Sequence, residues 1–211
     1  MKVVQKTVIT LFTLLFFVAG QAFATDGNAV VMDEWSIDEA HSNINFTITH
    51  FFTPVDGSFE DYSSEIFFDP NDLANSSIDV TIPVSSINTD NERRDNHLKS
   101  EDFFNAEEWP NIHFVSNEIE QTGDNQFVAH GELTIRDVTR EFELPFELLG
   151  VMDHPMQDGQ KVAGITANAQ LNRTDYGVGV GDWAATAVVG DEVDIQLNLE
   201  LTAPKEETAS N

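Results

Sequence analysis

Alternation of apolar and polar residues with a period of two is the feature that most restricts what this chain can fold into. Between His41 and His50, Ile44, Phe46 and Ile48 fall on one side while Asn43, Asn45, Thr47 and Thr49 fall on the other, the pattern of a strand with one buried face. Ile78, Val80, Ile82 and Val84 repeat it. Val193, Ile195, Leu197, Leu199 and Leu201 repeat it again, against Asp194, Gln196, Asn198 and Glu200. Further candidate strands run through Glu65 to Phe68, Ile112 to Ser116, Phe127 to Ile135, Thr139 to Leu149 and Val162 to Leu171, making about eight in all. Turn chemistry such as TPVDG, DPNDL and TGDNQ separates most of them. No connection is long enough for βαβ units, so the sheet is expected to be antiparallel. One apolar face per strand must be buried by stacking two sheets or by closing one sheet. Closure removes exposed edges, and eight strands enclose just enough room for side chains or one slender ligand.

The ends and the charge narrow the function classes. Lys2 and Lys6, the apolar run from Val8 to Ala19 and the small residues Ala22 and Ala24 read as a signal peptide over 1–24, with a mature start at Thr25 and a periplasmic or secreted destination. A barrel domain is expected over 25–203 and a disordered tail over 204–211. With no cysteine, stability must come from the core rather than from disulfides. A formal net charge of −27 argues against nucleic acid and against stable binding to an anionic membrane surface, both of which require basic patches. The six histidines show no H-x-H, H-x-x-x-H or H-E-x-x-H spacing, so no metal site is assigned. No cofactor is expected.

One segment breaks the alternation. Thr89 to Glu92 (TDNE) reads as a capping box, and a short helix from about Asp90 to Lys99 follows, expected to lie across one end of the barrel.

Several strings resemble, in order, the YceI-like family of exported lipid-binding proteins. They are WSIDEAHSNINFTITH, GSFEDYSSEIFFDP, IPVSSINTDNERRDNHLKSEDFFNAEEWPNIHF, GELTIRDVTREFELPFEL and NRTDYGV, spanning roughly Glu34 to Leu201; RDNHLKSEDFF is the most specific. The resemblance implies an all-β fold, a single extended antiparallel eight-stranded lipocalin-like β-barrel with a short helix near one end. It also implies an apolar pore for a polyisoprenoid or similar long-chain amphiphile, an isoprenoid quinone among them, and no enzymatic chemistry. Two departures stand out. Asp137 occupies the hairpin position where the family usually has glycine, and is expected to take the left-handed conformation. The stretch MDHPMQDGQKVAGITA replaces the family's usual tryptophan and glycines.

The expected pore lining is Ile44, Phe46, Ile48, Ile78, Val80, Ile82, Phe114, Phe127, Leu133, Phe142, Leu144 and Phe146. The same alternation also suits a solid core, which leaves a ligand-free scaffold barrel as one alternative. At the mouth, His50, Arg94, Asp95, His97 and Trp183 are candidates for a ligand head group. For Arg94 and Asp95 the rival is a structural ion pair tying the helix to the barrel; Arg93 is expected to face solvent. A lipid-modifying enzyme with His50 or His97 as base is the other alternative, although no G-x-S-x-G nucleophile motif is present. Arg173 and Asp175 are expected to form an ion pair or a turn bond, and GVGVGDW to form a flexible loop rather than a phosphate loop. A homodimer is left open.

Overall fold

A computed structural model describes residues 33–185 and 187–205. The expected signal peptide lies outside them. The strands are β1 (Glu34–Ile37), β2 (Asn43–His50), β3 (Thr53–Phe59), β4 (Ser63–Phe67), β5 (Ser77–Pro83), β6 (Ile87–Asn88), β7 (Asn111–Gly123), β8 (Gln126–Ile135), β9 (Val138–Asp153), β10 (Gln160–Asn172) and β11 (Val189–Pro204), with helix α1 (Glu92–Leu98) between β6 and β7. Hydrogen bonding runs β1-β4-β5-β7-β8-β9-β10-β11, and β11 returns to β1. That is a closed eight-stranded antiparallel barrel, so no edge of the ring is left unpaired.

The three remaining strands lengthen the barrel toward one end. β11 pairs with β1 at Leu201 and Thr202 and with β2 from Val189 to Asn198. β2 pairs with β3, and β3 with β6 at Ser58 and Phe59. The first three staves are therefore each broken once, into β1 with β2, β3 with β4, and β5 with β6. Local chemistry sets the first break: Asp38 accepts the Ala40 amide and starts a tight turn over Glu39–His41. The third falls at Pro83, which has no N–H to extend β5.

The stretch TPVDG, expected as a turn, is the start of β3. Pro54 is tolerated because the outer edge of β3 has no partner before Ser58. Gly57 is there for space: a Cβ on it would lie 2.3 Å from the Phe46 ring, which crosses β3 at that point. The turn is the two-residue link Phe51–Phe52 between His50 and Thr53. In the β8–β9 hairpin the left-handed residue is Arg136 (φ 56°), not Asp137. Arg136 is held there by hydrogen bonds to the carbonyls of Phe103 (2.8 Å) and Gly177 (2.5 Å), with its guanidinium 4.6 Å from the centre of the Trp109 ring. Of the expected tail, residues 204 and 205 are described. Pro204 ends β11 opposite Gln160, and Lys205 Nζ lies 2.6 Å from Asp153.

The helix starts later than the expected capping box. Asn91 is the N-cap, accepting the Arg94 amide, while the Thr89 hydroxyl is taken by the side chains of Arg94 and Asp95.

At the end opposite α1 the barrel is plugged. The Phe127 ring stacks on Phe146 at 5.3 Å and meets Phe68 edge-on at 5.2 Å. Trp35 donates its indole N–H to the Phe68 carbonyl at 2.9 Å.

A clasp holds the first corner to β11. His41 Nδ1 lies 3.0 Å from Asp38 and 3.8 Å from Glu200. The hydrogen bond to Asp38 raises the His41 pKa above its ordinary value, and the same bond lowers that of Asp38. The raised imidazole contributes fully below its unfolded pKa and loses its effect as pH rises through the folded one. The lowered carboxyl contributes above its unfolded pKa and loses its effect as pH falls through the folded one. The clasp is therefore strongest between about pH 4 and about pH 6.5. NMR titration of His41 is expected to give a pKa above the ordinary imidazole value that returns toward it in Asp38→Asn; equal values in the two proteins would contradict the clasp.

Candidate functional site: an apolar cavity inside the barrel

Above the Phe68–Phe127–Phe146 plug the barrel is hollow. The cavity measures about 1050 Å³, just above the usual range of small-molecule pockets, which run from about 300 to about 1,000 Å³. Of the twelve residues expected to line it, all but Phe127 do so. Phe127 points inward but sits in the plug, with 1% of its surface exposed. The inward residues of β11, from Val193 to Leu201, form a further wall. They carry the strictest alternation in the chain, a signal that was present in the sequence but was not assigned to the pore. Ile165 and Ala167 of β10 complete that side.

The open end lies between the tip of the β2–β3 hairpin and α1, where β3 has no ladder partner before Ser58. His50, Val55 and Val189 line it on one side, and Asn91, Arg93, Arg94, His97 and Leu98 on the other. No helix among the described residues is long and apolar enough to cross a membrane.

The YceI-like domain pattern matches residues 35–201. The chain belongs to the YceI-like family. An UPF0312 protein of Staphylococcus aureus is 35% identical over 174 residues, covering 81% of this chain and 98% of that protein. The Campylobacter jejuni YCEI protein shares the fold at a TM-score of 0.63 with 35% identity, covering 82% of this chain and 98% of the other. BcnA of Burkholderia cenocepacia superposes at 0.70 with 26% identity over 78% and 99%. A polyisoprenoid binding domain from Saccharophagus degradans shares the fold at 0.61, with 14% identity over 81% and 98%.

At the mouth of this YceI-like barrel the expected head-group residues separate into two sets. His50, Arg94, His97 and Trp183 line the cavity. Asp95 does not; its carboxylate accepts the Thr89 amide (2.9 Å) and hydroxyl (2.5 Å). Arg94 approaches the same Thr89 from the other side, through Nε to the hydroxyl at 2.7 Å and Nη2 to the carbonyl at 2.6 Å. The two charges thus grip one buried threonine between them rather than forming the ion pair considered as a rival. Arg93 is exposed as expected, yet borders the opening. The His97 ring is fixed by three neighbours: Asp102 3.1 Å from Nε2, and Phe103 and Trp183 edge-on at 5.0 and 4.7 Å.

The loop after β10 is built around Arg173, which shares one 3-10 turn with Asp175 (Arg173–Tyr176) without forming an ion pair with it. Asp175 lies 4.0 Å from Arg140 instead. Arg173 is 3% exposed and donates to the carbonyls of Gly190 (2.8 Å), Val178 (2.7 Å), Trp183 (3.0 Å), Val189 (3.0 Å) and Gly179. Burial presses its pKa downward, and the nearby Asp191 works in the opposite direction. The carbonyl cage supplies the hydrogen bonds that a buried guanidinium requires. GVGVGDW is therefore an ordered wrapping, not a flexible loop. Gly179 (φ 60°) has no room for a side chain, since a Cβ would lie 2.6 Å from Arg173 and 2.7 Å from Phe103. This wrapping holds Trp183 at the mouth. Its signal in the sequence was the repeated glycine, but carbonyl partners leave no residue signature.

Asp38, His41 and Glu200 bring ligand-type atoms within 4.8 Å of one another. Their contacts are those of the clasp, outside the cavity.

Proposed function

We propose that this YceI-like protein is an exported, non-catalytic carrier that holds a polyisoprenoid or similar long-chain amphiphile in its barrel. The observation that carries this reading is the continuous apolar wall around a cavity of about 1050 Å³, closed at one end and open at the other. The fold shared with a polyisoprenoid binding domain supports it. Burying a methylene is worth about 0.8 kcal/mol, so several five-carbon units gain more than about 10 kcal/mol before ordering costs are subtracted. A single head-group hydrogen bond adds about 1 kcal/mol net. The tail thus supplies affinity and the mouth supplies selectivity.

Arg93 and Arg94 line the cavity, in a chain with only 10 Lys and Arg residues against 37 Asp and Glu. That favours an oxygen-rich head such as a quinone carbonyl or a phosphate. The amino-terminal run from Val8 to Ala24 supports export to the periplasm or beyond. Carriage across an aqueous compartment then requires no covalent step.

Native mass spectrometry of the protein purified from its own host, followed by solvent extraction, tests this reading. The expected result is a chain starting at Thr25 with one long-chain isoprenoid bound. A ligand-free protein that also excludes an exchangeable apolar probe would contradict it.

A further inference from the structure

The turn between β2 and β3 consists of Phe51 and Phe52, and both rings point into solvent. Phe52 is 98% exposed and Phe51 54% exposed. Phe51 also has a φ of 54°, in the first position of a two-residue hairpin link, where glycine is the residue that fits without strain. A phenylalanine there costs backbone energy and recovers little by packing, so nothing in the fold explains it. The link is not loose: the Phe51 amide donates to the Val188 carbonyl at 2.9 Å, and the His50 ring meets Phe51 edge-on at 4.5 Å.

The location supplies the second observation. The tip forms one lip of the cavity mouth, since Ile48, His50, Val55 and Val189 on either side of it line the cavity. The two segments that make this lip, Ile48 to Val55 and Gly177 to Gly190, carry one formal charge between them, Asp182, in a chain where 22% of residues are charged. Val180 in the second segment is a further exposed apolar residue, at 44%. A lip with a single charged residue and two phenyl rings at its end, on a protein of net charge −27, fits one kind of surface. That is a bilayer interface whose headgroups carry no net charge, into which aromatic rings partition and from which acidic residues are not needed to withdraw.

We propose that the Phe51–Phe52 tip docks on a zwitterionic lipid surface and brings the cavity mouth to the membrane, so that a long-chain ligand passes between bilayer and barrel without crossing water. This rests on the carrier reading above, and the test separates the two.

Loading of NBD-labelled geranylgeraniol would be followed from palmitoyl-oleoyl phosphatidylcholine vesicles into the mature protein, and separately from detergent dispersion. Phe52→Ser, alone and with Phe51→Asn, removes the rings at exposed positions; asparagine tolerates the left-handed backbone. The expected result is a loading rate from vesicles reduced about tenfold or more, with affinity from detergent within about twofold of wild type and a melting temperature no lower than that of wild type. Wild-type loading is also expected to slow when phosphatidylglycerol is added to the vesicles and to recover in high salt. Equal loading rates for wild type and the double variant would overturn the docking role while leaving the carrier intact. An identical rate from phosphatidylglycerol-containing vesicles would overturn the neutral-surface assignment. Wild-type protein that takes up no probe from detergent would instead defeat the carrier reading, and this inference with it.

Discussion

Replacing Ala167 by phenylalanine is expected to remove long-chain binding while leaving the barrel folded. Ala167 is buried at 3% exposure, pairs with Leu197 and Phe146 across the sheet and lines the cavity. A phenyl ring there has open space to enter, so the usual overpacking cost of about 1–3 kcal/mol in a filled core does not apply. Filling the void adds buried apolar contact instead. The ligand loses the part of the channel the ring occupies. If that displaces only one isoprene unit of methylene-scale groups, the gross loss is about 4 kcal/mol. After discounting for ordering, a fall of at least about 100-fold in affinity is expected. Isothermal titration with a long isoprenol, beside a melting curve, checks both halves. A variant that binds as tightly as wild type would mean that the ligand does not occupy the barrel. A variant that unfolds would mean that the space at Ala167 is already filled.

Replacing Arg173 by methionine is expected to be the most damaging single change in the described residues. The five carbonyl oxygens around the guanidinium lose their donors at once, and each unsatisfied buried acceptor costs about 1–3 kcal/mol when water cannot replace the donor. Partial relaxation and hydration of the loop lower the sum, so a net loss of about 3–5 kcal/mol is expected, equivalent to a fall of about 10 °C in melting temperature. Arg173→Lys retains the charge but cannot reach all five carbonyls, and an intermediate loss is expected. Because the cage includes the Trp183 carbonyl and the Gly177–Gly181 wrapping, the fluorescence of Trp183 should shift toward that of an exposed indole. A methionine variant within about 1 kcal/mol of wild type would show that other contacts hold this loop.

The barrel was legible because a period of two translates directly into inside and outside. Once Ile44, Phe46 and Ile48 are assigned to one face, antiparallel pairing carries that assignment around the ring to Leu197, Ile195 and Val193. What alternation cannot convey is depth along the barrel axis. Phe127 and Phe146 obey the same parity, yet one is wholly plug and the other also borders the cavity. Hollow and filled barrels have the same pattern in sequence and differ only in where ring volumes meet. Pro54 and Gly57 usually punctuate turns, which hides β3 in the sequence. Here proline falls on a free edge and glycine makes room for a ring from the neighbouring strand, and both reasons lie across the sheet.

At the mouth, charged residues were matched to the nearest opposite charge in the sequence, Arg94 to Asp95 and Arg173 to Asp175. The fold satisfies them otherwise, through a buried threonine and a cage of carbonyls. Backbone oxygens are available to any guanidinium that the chain wraps, and only tertiary structure shows the wrapping. The capping box failed for a related reason. The Thr89 hydroxyl is already committed to Arg94 and Asp95, so the helix begins at Asn91.

The account depends on a long hydrocarbon chain lying inside the barrel, and titration with isoprenols of increasing length tests this most directly. Geraniol, farnesol and geranylgeraniol differ by one isoprene unit at each step. The account predicts that affinity for the wild-type protein rises by about 100-fold per unit, and that the last step of this rise disappears in Ala167→Phe. Affinity that does not change with chain length, or that rises equally in both proteins, would contradict it.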